Sequence, residues 1–120
     1  MASTKVETVL HNNTTLNTNA AVNTSSVVVL DDGYGAGLNV QITNANTQTT
    51  AGQCQIQVSS DNTVWYDFGR PLVASLVNGA VTAWGGIEIP IGVEYLRIRV
   101  GSQSGANIYV NASLSEVTAV

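Results

Sequence analysis

Leu38-Asn39-Val40-Gln41-Ile42-Thr43 alternates aliphatic and polar side chains without a break. Successive side chains of an extended chain point to opposite faces, so this segment is apolar on one face and polar on the other: a half-buried strand. The same period recurs three times. Cys54, Ile56 and Val58 alternate with Gln53, Gln55 and Gln57; Leu96, Ile98 and Val100 alternate with Tyr95, Arg97 and Arg99; Ile108, Val110, Ala112 and Leu114 alternate with Tyr109, Asn111, Ser113 and Ser115. Cys54 falls on an apolar face, where a thiol packs as a small hydrophobe. Turn signals separate these segments: Asp31-Asp32-Gly33-Tyr34-Gly35, Ser60-Asp61-Asn62, the two-residue hairpin signal Asn78-Gly79, and Gly101 to Gly105. No stretch carries a helical apolar stripe over ten residues. The pattern predicts an all-β fold, a single antiparallel β-sandwich or jelly roll of about eight strands.

Outward from these strands the pattern is less regular. Val27-Val28-Val29-Leu30 is a continuous apolar run that suits a strand buried on both faces, and Val64 to Phe68 reads as a further strand. Arg70 to Val77 is a strand or a covering loop. Val81 to Ile91 is apolar but interrupted by Gly85-Gly86. At the amino terminus Ser3 to Leu10 alternates as a short strand, whereas His11 to Ser26 is rich in Asn and Thr, which compete for backbone hydrogen bonds and favour turns. Residues 1–25 are therefore expected to form a strand and extended arm, and residues 26–120 the sandwich. Val6, Leu10 and Leu16 are too sparse for a core of their own and are candidate contact residues, ordered when a partner covers them.

Composition removes several functions. The chain has 120 residues, enough for one core, and only 10% are charged while 44% are hydrophobic. Its net charge of −4, with Lys5, Arg70, Arg97 and Arg99 as the cations, argues against nucleic-acid binding, which rests on phosphate neutralisation. A single cysteine makes no internal disulfide, and a single histidine, His11, makes a zinc site improbable. No apolar run approaches the roughly 18 residues of a membrane span, and Met1 to Leu10 is not a signal peptide, so the chain is expected to be soluble and made in a cytoplasm. Asp31 and Asp32 are adjacent and lack the spacing of a calcium loop. Gly33, Gly35 and Gly37 precede no Walker lysine. His11 has no G-x-S-x-G partner. No catalytic, metal or cofactor-binding residue is expected.

Two surface features remain. Trp65, Tyr66 and Trp84 form a candidate aromatic patch, because strict alternation points both tryptophans away from their apolar neighbours. A bulge at Gly85-Gly86 gives the other reading, in which the phase changes and Trp84 joins Ile87 and Ile89 in the core. Tyr95, Arg97 and Arg99, with Tyr109 across from them, form a polar stripe that is either a solvated face or a subunit contact.

Val58-Ser59-Ser60-Asp61-Asn62-Thr63-Val64-Trp65-Tyr66-Asp67-Phe68-Gly69 resembles the V-S-x-D-x-x-x-W element of small β-sandwich virion proteins of tailed bacteriophages. Residues 89–117, with Pro90, Gly92, Tyr95, Arg97 and Val100 in a P-x-G-x-x-Y-x-R-x-x-V arrangement, resemble their closing hairpin. The resemblance implies a phage structural protein of the capsid decoration (cement) type, which sits on the virion surface. Its implied partner is the lattice of the major capsid protein. The alternative is a carbohydrate-binding or host-recognition module of a tail or fibre. Scarce Lys and Glu leave strand edges unguarded, so self-association, as a homotrimer, is expected.

Overall fold

A computed structural model of the chain describes residues 4–17, 23–30 and 35–119. All of its regular structure is β, in ten segments: β1 (Thr4–Leu16), β2 (Asn23–Thr24), β3 (Val28–Val29), β4 (Ala36–Asn44), β5 (Gln53–Ser59), β6 (Tyr66–Asp67), β7 (Leu72–Val73), β8 (Val81–Ile89), β9 (Tyr95–Gly101) and β10 (Ile108–Ala119). One sheet has the order β1-β10-β4-β8; in the other, β9 and β5 are central, β2 and β3 share the outer side of β9, and β6 and β7 share the outer side of β5. Every pairing is antiparallel. With β2–β3 and β6–β7 each counted as one broken strand, eight positions pair first with eighth, second with seventh, third with sixth and fourth with fifth. That nested order is a jelly roll, one long antiparallel ribbon coiled into two facing sheets.

The alternating segments do what their period demands. Leu38, Ile42, Cys54, Leu96, Ile98, Val100, Ile108, Val110 and Leu114 are fully buried between the sheets. The register matches Ile56 to Ile98, and Val40 to Ala112, on the inner faces. Asn78-Gly79 makes a tight turn closed by Ala80 N–H to Val77 C=O, but not a hairpin. The favoured two-residue hairpin turns need positive φ at the first central residue, and here Asn78 lacks it while Gly79 (φ +70°) has it. The chain instead crosses between sheets, from β7 to β8. Residues 89–117 likewise are no hairpin, because β9 and β10 lie in opposite sheets.

Other expectations are corrected. The segment from His11 is not an irregular arm: β1 continues to Leu16, paired along its length with β10, and Leu16 is in the core. Register shifts between Val9 and His11 and between His11 and Thr14, with Asn13 at φ +49°, break the period that would have revealed it. Residues 18–22 and the Asp31–Tyr34 part of the glycine-rich turn lie outside the described residues. Val27 to Leu30 is an edge segment rather than a doubly buried strand; Val28 and Leu30 face in, while Val27 and Val29 are exposed. The 64–68 run and the 70–77 run contribute only the two-residue segments β6 and β7.

Buried amide side chains tie the loops at one end. Asn44 donates from Nδ2 to Ser75 C=O (2.7 Å) and Val77 C=O (3.0 Å), and Gln103 donates to Leu16 C=O (3.0 Å). Gln48 donates to Ala106 C=O (3.1 Å) and accepts from Ala106 N–H (3.1 Å). Replacing Asn44 by Ala should cost about 1–3 kcal/mol by orphaning two loop carbonyls, read from the urea unfolding midpoint. Burial pushes the Cys54 thiol up to about 12, so a haloacetamide should label the native protein only after unfolding. Cys54→Ser should cost about 1–3 kcal/mol for a buried hydroxyl without a partner.

Candidate functional site

Each sheet presents one outer face to solvent, and the two differ in chemistry. On the β9–β5 sheet the polar stripe of β9 lies beside the glutamine stripe of β5, with Gln57 opposite Arg97 and Gln55 opposite Arg99. Arg97 Nε donates to Gln57 Oε1 (2.9 Å), and Gln57 Nε2 donates to Asp67 Oδ1 (3.0 Å). The Arg97 guanidinium also lies 4.2 Å from the centroid of the Trp65 ring, a cation–π contact of about 0.5–2 kcal/mol. A cleft of about 210 Å³ beside this network is lined by Gln53, Gln55, Gln57, Asp67 and Arg99.

The other outer face belongs to the β1-β10-β4-β8 sheet. Across its middle runs a groove of about 520 Å³ whose polar lining comes from Asn39, Gln41, Asn111 and Ser113 on the central strands and from His11 and Asn12 on β1, flanked by Val9 and Ala83. At one end of the sandwich a third feature is apolar. Tyr66 pairs with Val58, and these two with Gly92 and Val93 line a shallow depression of about 190 Å³. Tyr66 (64% exposed) stands open to solvent there, and Val64, two residues before it, and Ile91 (72%), next to Gly92 in the chain, are also exposed.

The expected sites are distributed differently. Trp84 pairs with Val40 on the inner side and packs against the core, because Gly85-Gly86 form the bulge that shifts the phase, with Gly86 at φ +65°. Trp65 and Tyr66 lie in the opposite sheet from Trp84, so the three aromatics make no joint patch. Tyr109 is on β10, in the other sheet from Tyr95, Arg97 and Arg99, and does not face them. Val6 is exposed, Leu10 is half-buried against the core, and Leu16 is buried. The groove and the aliphatic end were not singled out from sequence. Their signals were present, as alternating Asn, Gln and Ser and as isolated Val and Ile in turns, but cross-strand adjacency is invisible until register is known.

Among the described residues no group of three or more His, Cys, Asp or Glu converges on a point. His11 and Cys54 lie in opposite sheets. His11 is 7% exposed; its Nδ1 lies 3.2 Å from Thr14 Oγ1 and its Nε2 is buried without a hydrogen bond. Burial holds its pKa below the ordinary histidine value.

No protein-family model matches the chain, and no curated protein matches it. Solved structures do. A chain in the structure of infectious bursal disease virus, Gx strain, superposes with a TM-score of 0.61 at 12% identity over 94% of this chain and 31% of the viral one. The Gt strain gives 0.54 at 10% identity over 93% and 31%. This chain thus spans about a third of the viral chains it resembles. A family 29 carbohydrate-binding module from Piromyces equi aligns with a TM-score of 0.39 at 13% identity, over 92% of this chain and 90% of the module. At these identities the viral likeness is one of fold.

His11 gives this site a pH signature. The unfolded chain takes up a proton near pH 6.5, which the folded state resists because its imidazole is desolvated. The His11 contribution to stability should therefore be flat above that pH and fall as pH drops through it. Urea midpoints measured across this window should show the slope, and His11→Gln should remove that part of it.

Proposed function

We propose that this chain is a non-enzymatic structural protein of a virus particle, a decoration or cement protein that binds the outside of a tailed-phage capsid as a homotrimer and stabilises the assembled shell. The observation that carries the reading is the aliphatic end of the sandwich. Val64, Tyr66 and Ile91 project into solvent from a chain with only four cationic and eight acidic residues. A large aromatic flanked by aliphatic side chains in a shallow depression is the composition of an interface centre. A jelly-roll fold shared with a chain of a virus particle supports the reading at the level of fold.

The mechanism is adhesive. A protein that binds the assembled lattice and not its free subunits stabilises that lattice by mass action. Repetition around a symmetric shell lets weak contacts add through avidity. The alternative sugar-stacking patch loses its platform, because Trp65 is covered by Arg97 and Trp84 faces the core.

Co-sedimentation with shells assembled from a tailed-phage major capsid protein tests the proposal. The wild type should pellet with shells and not with free subunits, and sedimentation equilibrium should give a trimer mass. Ile91→Glu and Tyr66→Glu should keep the unfolding midpoint and stay in the supernatant. If the wild type does not pellet, the reading fails; if both variants pellet normally, the aliphatic end is not the contact.

A further inference from the structure

The groove across the β1-β10-β4-β8 sheet has a chemistry that the shell-binding reading does not use. Its polar side chains sit on the two central strands, and the register sets Asn39 opposite Ser113 and Gln41 opposite Asn111. Four uncharged hydrogen-bonding groups thus form one cluster, spaced about 5 Å across the strands and about 7 Å along them. No Lys, Arg, Asp or Glu lines the groove, and the burial of its one histidine, His11, disfavours the charged imidazole.

Two of the four are held in fixed orientations. Asn39 Oδ1 accepts from the Gly86 N–H (2.9 Å), and Asn111 Oδ1 accepts from the Asn13 N–H (2.7 Å). Both donors belong to bulges on the edge strands, where the ladder is interrupted and a backbone N–H needs a partner. A backbone N–H can be met only by the amide oxygen, so each side-chain NH2 is fixed in orientation rather than free to flip. Donors ordered in advance lose little entropy when a ligand arrives.

We infer that this groove binds a neutral oligosaccharide. The lack of ionised groups gives no purchase to phosphate, carboxylate or cationic ligands. A peptide strand has no place to pair, because both central strands already have neighbours on each side. A sugar offers what the lining lacks: many hydroxyl oxygens to accept from the Asn39 and Asn111 amides, and C–H faces to lie against Val9 and Ala83. Val9 is 59% exposed, so apolar surface is open at the flank. The groove crosses four strands, a span of about 14 Å at the spacing of paired strands, which suits a short oligosaccharide rather than a monosaccharide. Its volume of about 520 Å³ falls within the ordinary range for small-ligand sites.

A glycan microarray carrying neutral, sialylated and sulfated oligosaccharides, probed with the full chain, tests this. The wild type should be retained on neutral glycans only. Asn39→Asp and Asn111→Asp keep the oxygen that caps each bulge but exchange the donor NH2 for an acceptor, so folding should hold and retention should fall about tenfold or more. Gln55→Ala, on the opposite sheet, should bind as the wild type does. No retention on any neutral glycan overturns the inference, as does equal retention on acidic ones or undiminished binding by both Asp variants. If the Asp variants lose co-sedimentation with shells and no glycan is bound, the groove receives protein instead, and the inference fails while the shell reading stands. Glycan binding by a chain that never pellets with shells gives the converse.

Discussion

The turn around Asp61 is where the coiled ribbon reverses. Asp61 Oδ1 accepts from the Thr63 and Val64 N–H groups (2.9 Å each), and Ser59 Oγ accepts from Asp61 and Asn62. These bonds hold the Asp61 carboxyl below its usual range and let Asn62 adopt φ +61°. Among the described strands, β5 and β6 form the only pair joined by a direct turn within one sheet; every other consecutive pair is split between sheets or lies in series along one neighbour. All longer pairings depend on the ribbon folding back at this point.

The nested order has a second consequence. β9 and β10, the last strands in the chain, are central in their respective sheets. Their inward Leu96, Ile98, Val110 and Leu114 complete the core that Leu38 and Ile42 of β4 and Cys54 of β5 contribute to. Closure is therefore set by contacts distant in sequence, the entropically expensive kind. The unbroken alternation of β9 and β10 meets that demand: Leu96, Ile98, Val100, Ile108, Val110 and Leu114 are entirely shielded from solvent.

Much of this was legible in the sequence, because period-2 alternation is a local consequence of burying one face. The four alternating segments, the inward Cys54 and the outward Arg97 and Arg99 follow from it directly. Failure came where the period is interrupted or where position depends on a remote partner. Two register shifts hid the second half of β1, so Leu16 read as a contact residue when it is core. Tyr109 and the Tyr95 stripe each had the right phase, but phase does not say which sheet a strand joins. Trp84 was decided by a glycine pair that the sequence displays openly, although its effect on register needs the partner strand, where Leu38 and Val40 bracket the shift.

The same interruptions connect the fold to its outer surface. A sheet edge with a full row of free N–H and C=O groups invites another chain, and this protein breaks every edge. The β9–β5 sheet is bordered by two-residue pieces, and the other sheet by bulged strands. Edge pairing is consequently a poor route to self-association here. The bulges at Asn13 and Gly86 also leave backbone N–H groups that the ladder no longer satisfies. Asn39 and Asn111 supply the missing acceptors from the central strands, and in doing so fix their own amide groups along the groove. Protection of the edges and orientation of the groove's donors are thus one structural solution, reached from both sides of the same sheet.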